Sequence, residues 1–128
     1  MVRRLVAGQR VGALEHAVLE ELWGAGGWLN GREIWERLGD GTRAYTTVMT
    51  ILGRLVDKGL VEVERVEKGR SHVYRAAGDP DELTAQAINS LLAATADPRQ
   101  ALAYFVEGLA DPELVAELAA VLDRVRRP

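Results

Sequence analysis

Cysteine does not occur in the chain. That removes disulfides, thiolate metal sites and thiol chemistry as sources of stability or activity. Phenylalanine occurs once and aromatic residues make up only 5% of the chain, so the core must be aliphatic, built from Leu, Val, Ile and Ala. No apolar run approaches the length needed to cross a bilayer, and no membrane insertion is expected. The opening segment, MVRRLVAGQRVG, carries a pair of arginines but no apolar stretch behind them of the kind a secretory signal has. The expectation is a soluble, cytoplasmic protein. Glycine-rich phosphate loops, a nucleophile elbow and paired metal ligands are missing too, and the carboxylates are scattered over helical stretches. An enzyme is therefore not expected. His16 and His72 fall on different elements with no second ligand at metal spacing, so neither a metal nor a cofactor is expected.

What is present is asymmetric. The 128 residues suit one domain, or a small domain with an appendage, and the net charge is −3. Residues 41–78 nevertheless hold seven basic side chains (Arg43, Arg54, Lys58, Arg65, Lys68, Arg70, Arg75) against four acidic ones. Residues 79–128 hold four basic against nine acidic. A basic middle joined to an acidic tail points to a polyanionic partner for the middle alone.

Periodicity divides the chain the same way. Leu14, Ala17, Val18 and Leu22 recur at helical spacing over residues 12–24, with Glu15, Glu20 and Glu21 off the stripe, and the run GAGG stops the helix. Residues 28–29 read as a very short strand. Asn30 followed by Glu33 forms a capping-box pattern for a second helix, which carries Ile34, Trp35 and Leu38 and ends at GDG. A third helix runs from about Tyr45 to Lys58, with Val48, Ile51, Leu52, Leu55 and Val56 as its buried stripe and Gly59 closing it. The period then changes to two over residues 60–66 and 71–76, around the turn EKGR, which predicts a hairpin. Asp79-Pro80, Asp97-Pro98 and Asp111-Pro112 each place a capping acid before a proline, predicting helices over about 80–95, 98–109 and 112–126.

Three helices and a hairpin is the order of a winged helix-turn-helix, in which the third helix enters the DNA major groove and the hairpin reaches the backbone or the minor groove. The third helix fits that role. With its aliphatic stripe buried, Thr46, Thr47, Thr50 and Arg54 are left outward. Short hydroxyls reach phosphates and base edges, a Thr methyl packs on a thymine methyl, and Arg bonds phosphate or guanine. Arg43 and Tyr45, where the helix begins, join them as candidate contacts, as do Lys68, Arg70 and His72 on the hairpin, where Arg65 and Arg75 add charge. Plain solvated surface and edge-strand protection are the competing readings for these side chains. The fold class expected is mainly α with a small β-hairpin wing: a winged-helix DNA-binding domain over residues 1–78 and a helical dimerisation domain over 79–128. The second is too small for a core of its own. Leu83, Leu91, Leu102, Phe105, Leu109, Leu114, Leu118 and Leu122 are the candidate dimer residues.

Particular stretches resemble a known family. AYTTVMTILGRLVDKGLV, residues 44–61, is similar to the recognition-helix segment of the BlaI/MecI penicillinase repressors. LEHAVLEELW resembles that family's first helix, EKGRSHVYRA its wing and ALAYFVEGL a part of its C-terminal region. The likeness runs from about Val11 to Leu122. It implies a homodimeric repressor on a dyad-symmetric, double-stranded DNA operator. In one branch of the family a membrane sensor-protease pathway leads to cleavage at an Asn-Phe bond. Here the matching pair is Tyr104-Phe105, and two readings stay open: a cleavage position, or aromatics of the dimer core. A second branch senses copper through a C-terminal cysteine cluster, which this chain lacks.

Two other classes are weighed against this one. A winged helix used only for protein interaction should expose large apolar residues on the third helix, where Met49 is the single example. A small-molecule-sensing regulator of another family should have a ligand pocket, which Trp23, Trp28 and Trp35 could line, although such residues more often simply pack.

Overall fold

The computed structural model describes residues 5–39, 41, 43–66 and 71–127. They form two compact units, Met1–Ala87 and Ile88–Pro128. The first begins with a hairpin of β1 (Leu5–Val6) and β2 (Gln9–Arg10), turned by Ala7 and Gly8 at φ of 52° and 76°. Both residues are left-handed, as a two-residue turn of type I′ requires. Three helices follow, α1 (Ala13–Ala25), α2 (Gly31–Leu38) and α3 (Tyr45–Asp57), with the short strand β3 (Leu29–Asn30) before α2. Then come β4 (Val61–Arg65) and β5 (His72–Ala76), which pair antiparallel, Val61 opposite Ala76 and Arg65 opposite His72. β3 pairs with the free edge of β5, so the sheet order is β3-β5-β4. This is the winged helix-turn-helix expected from the sequence.

The local signals act as predicted. The Glu33 N–H donates to Asn30 Oδ1 at 2.8 Å and Glu33 Oε1 accepts from the Asn30 N–H at 3.0 Å, a complete capping box for α2. Gly59, at φ 76°, turns the chain out of α3. Val18, Leu19 and Leu22 of α1, Ile34 of α2 and Val48, Ile51, Leu52 and Leu55 of α3 meet in one core, closed by Leu29, Leu60 and Val61. Val6 and Val11 extend that core under the first hairpin.

Two expectations need correction. Glu15 is buried rather than off the stripe. Its carboxylate accepts from the Gly12 N–H at 3.0 Å and from Lys58 Nζ at 2.7 Å, so its charge is compensated where it lies. Leu83 is only 2% exposed and belongs to the core of the first unit, so it is not a surface for dimer contact. It stands in the first half of α4 (Pro80–Ala94), and the division between units therefore falls inside that helix rather than at 78/79.

The second unit comprises the end of α4, α5 (Pro98–Glu107) and α6 (Pro112–Arg126). The aspartate–proline pairs start all three helices. Asp79 Oδ1 accepts from the Glu82 N–H at 2.8 Å, Asp97 Oδ1 from the Gln100 N–H at 3.1 Å and Asp111 Oδ1 from the Glu113 N–H at 2.9 Å. No described residue of this unit is buried.

Candidate nucleic-acid interface

α3 presents two chemistries. Val48, Ile51, Leu52 and Leu55 are buried, whereas Tyr45, Thr46, Thr47, Thr50, Gly53 and Arg54 are exposed. The outward row is thus short and polar, with one long cation near its end. Thr50 Oγ1 donates to the Thr46 carbonyl at 3.0 Å, which commits its proton and leaves its oxygen and methyl for an incoming partner. At the start of α3, Tyr45 meets the Trp35 ring edge-to-face at 6.2 Å, and the Trp35 indole N–H donates to the Arg43 carbonyl at 2.9 Å. Trp35 therefore holds both residues that lead into the helix. It is a packing residue, as is Trp23, whose indole N–H donates to the Gly78 carbonyl at 3.0 Å.

The hairpin sorts its side chains by strand parity. Val61, Val63 and Arg65 share one face with His72, Tyr74 and Ala76 across the ladder. The near end of this face is core and the far end continues past it, so Arg65 and His72 stand as exposed neighbours toward the wing tip. Lys68 and Arg70, the two candidate tip cations, lie outside the described residues. Arg75 belongs to the opposite face. It stacks on Trp28 at 4.4 Å and pairs with Glu62 at 2.9 Å, which occupies it locally rather than beside His72.

Asn30, Gly31, Arg32, Tyr45, Met49, Ser71, His72 and Tyr74 line a groove of about 530 Å³ between the starts of α2 and α3 and strand β5. Burial, with a smaller contribution from the Tyr45 phenol, pushes the Tyr74 hydroxyl above the usual phenol range, so it remains a neutral donor. Among the described residues no group of His, Asp or Glu could hold a metal ion, and no helix is long and apolar enough to cross a membrane.

Two supports of α3 had escaped the reading of the sequence. The first hairpin grips its far end: Gln9 Nε2 donates to the Lys58 carbonyl at 2.8 Å, and Lys58 Nζ donates to the Arg10 carbonyl at 3.0 Å. The Glu15–Lys58 pair adds a charged tie between α1 and α3. Burial pushes the Glu15 carboxyl up, but the Lys58 ammonium, the Gly12 N–H and the more distant Arg54 charge together outweigh it and hold the group below its ordinary value. Lys58 is therefore structural, and only part of the basic excess of residues 41–78 is available to a ligand.

The other candidate surface lies in the second unit. Leu91, Leu102, Tyr104, Phe105, Leu114 and Leu122 are exposed, and Leu109 and Leu118 are partly covered. Ile88, Leu91, Leu92, Leu102 and Phe105 wall an apolar cleft of about 330 Å³. Tyr104 and Phe105 sit toward the C-terminal end of α5, where the Tyr104 carbonyl accepts from the Gly108 N–H at 3.0 Å.

Comparison with known proteins agrees with this geometry. The sequence model of the penicillinase repressor family matches residues 11–124. Transcriptional regulator BlaI of Mycobacterium tuberculosis, in two strains, is 38% identical over 102 residues, covering 77% of this chain and 72% of the relative. Among solved structures, a mutant MarR from E. coli complexed with operator DNA is 21% identical, with a TM-score of 0.48 over 91% of this chain and 76% of that one, too loose a likeness to bear on function. The chain belongs to the penicillinase repressor family of winged-helix, DNA-binding transcription regulators.

Proposed function

We propose that the protein represses transcription as a homodimer on a dyad-symmetric DNA operator. α3 of each subunit lies in the major groove of one half-site, with Thr46, Thr47, Thr50 and Arg54 toward the bases and phosphates. Arg43 and Tyr45 bind where the helix enters the groove, and His72, Lys68 and Arg70 reach the flanking backbone. The observation that carries this reading is the split of α3 into a buried aliphatic stripe and an exposed row of short hydroxyls ending in Arg54. Such a row lets the helix axis come close to base edges, and the N-terminal N–H groups of α3 add attraction for phosphate.

The dimer is supported by the second unit. Its exposed leucines and Phe105 have the pattern of amphipathic helices without a core to face, and a two-fold partner is the commonest solution. Pairing also raises the effective concentration of the second recognition helix at its half-site. We read Tyr104-Phe105 as part of this dimer surface rather than as a cleavage position. Proteases favour exposed loop tips, and this bond lies within helix α5. A membrane sensor-protease pathway is thus not needed to explain the pair.

Fluorescence anisotropy with DNA from upstream of the protein's own gene and a shuffled control, titrated over several salt concentrations, tests the reading. Tight, salt-sensitive binding that prefers the native fragment is expected. Equal, weak binding to both would favour a winged helix that works through protein partners.

A further inference from the structure

With no cysteine and two methionines in the chain, Met49 is the one sulfur among the described residues. It is partly buried and packs on the core beside the exposed row of α3. Its thioether fills the notch that Gly31 leaves by having no side chain. A Cβ on Gly31 would fall 2.5 Å from Met49 Cε, 2.8 Å from Sδ and 3.0 Å from Tyr45 Oη. The outer side of Met49 faces the groove shared with Tyr45, His72 and Tyr74, a space of about 530 Å³. Met49 therefore borders the groove on one side and packs closely against Gly31 and Tyr45 on the other.

We propose that Met49 is an oxidation site through which a peroxide loosens the protein's hold on DNA; this rests on the DNA-binding reading of α3. A sulfur lone pair attacks the outer peroxide oxygen, the S–O bond forms and the O–O bond breaks. Sulfur loses two electrons, and the departing oxygen takes them with a proton, leaving as water or an alcohol. The sulfoxide turns an apolar, adaptable side chain into a polar, chiral one. An oxygen directed inward presses on Gly31 and the Tyr45 hydroxyl and forces α2 and α3 apart, because the contact has no spare volume. An oxygen directed outward places negative partial charge in the groove beside Tyr45 and His72, two of the residues assigned to DNA. The first displaces the helix that reads DNA and the second repels the DNA it approaches, and either sulfoxide epimer is returned to Met by its own reductase.

The experiment treats the purified full chain and a Met49→Leu variant with hydrogen peroxide, locates added oxygen by peptide mass mapping, and measures binding to the upstream fragment. Each protein is compared with its own untreated form. Leucine keeps the volume and removes the sulfur. The wild-type protein should take one oxygen at Met49 and bind about tenfold more weakly, with binding restored by methionine sulfoxide reductases. Met49→Leu should change less than about twofold. Three results would overturn the proposal: affinity unchanged after Met49 is oxidised, Met49 unoxidised under conditions that convert Met1, or an equal loss in Met49→Leu. Should the untreated protein fail to bind DNA, the DNA reading fails, and thermal unfolding decides the oxidation proposal by itself. A fall in Tm confined to the wild-type protein supports a loosened α2–α3 contact, and equal Tm values before and after treatment refute it.

Discussion

Residues 1–87 and 88–128 are both largely helical, yet they treat their apolar side chains in opposite ways. Among the described residues, every apolar side chain that is buried outright lies at or before Leu83. After it, Leu91 is 71% exposed, Leu122 50% and Val125 75%. The outward surfaces differ in kind as well. The exposed row of α3 is threonine, glycine and arginine, whereas α4, α5 and α6 expose leucine, valine and phenylalanine among their charged and polar side chains. On the function proposed above, exposure in the first unit belongs to a surface for a polar ligand, and exposure in the second to half of a core completed by a second copy, since so much apolar surface is costly to leave in water.

If that contrast is right, the two units should respond differently to damage. The largest effect is expected from Leu122→Asp. The residue is half-exposed in the single chain, so an aspartate costs the isolated subunit little, but in a dimer interface it would be an unpaired buried charge. Analytical ultracentrifugation should show a monomer, and operator affinity should fall by about 10²–10⁴ as the second half-site loses its tether. An intact dimer would remove α6 from the interface. Leu52→Ala is the counterpart in the first unit. Leu52 is fully buried at the centre of the core, so the cavity should cost about 2–5 kcal/mol. Denaturant unfolding should register that loss while the oligomeric state at low denaturant stays the same.

Smaller effects probe the first unit's two polar features. Arg54→Ala should weaken operator binding by about 1–3 kcal/mol with loss of sequence preference if the guanidinium reads a base, and uniformly across sequences if it holds a phosphate. Unchanged affinity for both operator and random DNA would take Arg54 out of the interface. Lys58→Met leaves Glu15 buried beside no ammonium, at a cost of about 1–3 kcal/mol near neutral pH. The sign of the pH dependence follows from the lowered Glu15 carboxyl. The pair's contribution is fully present above the ordinary carboxylate value and fades as pH falls through the lower folded one. In Lys58→Met the carboxyl keeps its burial, the Gly12 N–H and the Arg54 charge but loses the ammonium, so it titrates higher than in the wild-type protein and the destabilisation should shrink on acidification. Urea midpoints across pH 3–7 compare the two proteins, and parallel curves would contradict this account.

Much of this was readable in advance where a local rule dominates. The three Asp-Pro starts, the Asn30–Glu33 box and the Gly59 stop depend on nearest neighbours in sequence, and each is made as expected. The split of α3 was likewise legible from its period. Tertiary context decided the rest. Nothing near Glu15 in sequence announces Lys58, so the pattern puts this carboxylate off the buried stripe of α1, whereas the fold buries it with its partner at 2.7 Å. Leu83 shares the pattern of the later leucines, and only packing assigns it to the first core. The opening hairpin was missed because its strands have two residues each, too few for alternation to show, and its turn uses Ala7 at positive φ. Arg75 was grouped with the wing cations, but the β4–β5 register sends it to Trp28 and Glu62.

Gly53 carries the finest distinction between the two kinds of exposed surface. It stands in the interior of α3, on the same outward side as Thr50 and Arg54, and a Cβ there would meet nothing within 4 Å. Its φ is not among the positive ones, so the backbone does not require glycine. Gly53→Ala should therefore stabilise the first unit by about 0.5–1 kcal/mol, through lower unfolded-state entropy and better helix propensity. Thermal unfolding should show the gain, and ultracentrifugation should show no change in assembly, in contrast to any polar substitution on α6. A loss of stability instead would mean that the space over Gly53 is filled within the folded protein. Operator affinity in the same variant then gauges how near the helix comes to DNA. A methyl group that raises stability yet lowers affinity has met the DNA itself, because the free chain offers it no other neighbour.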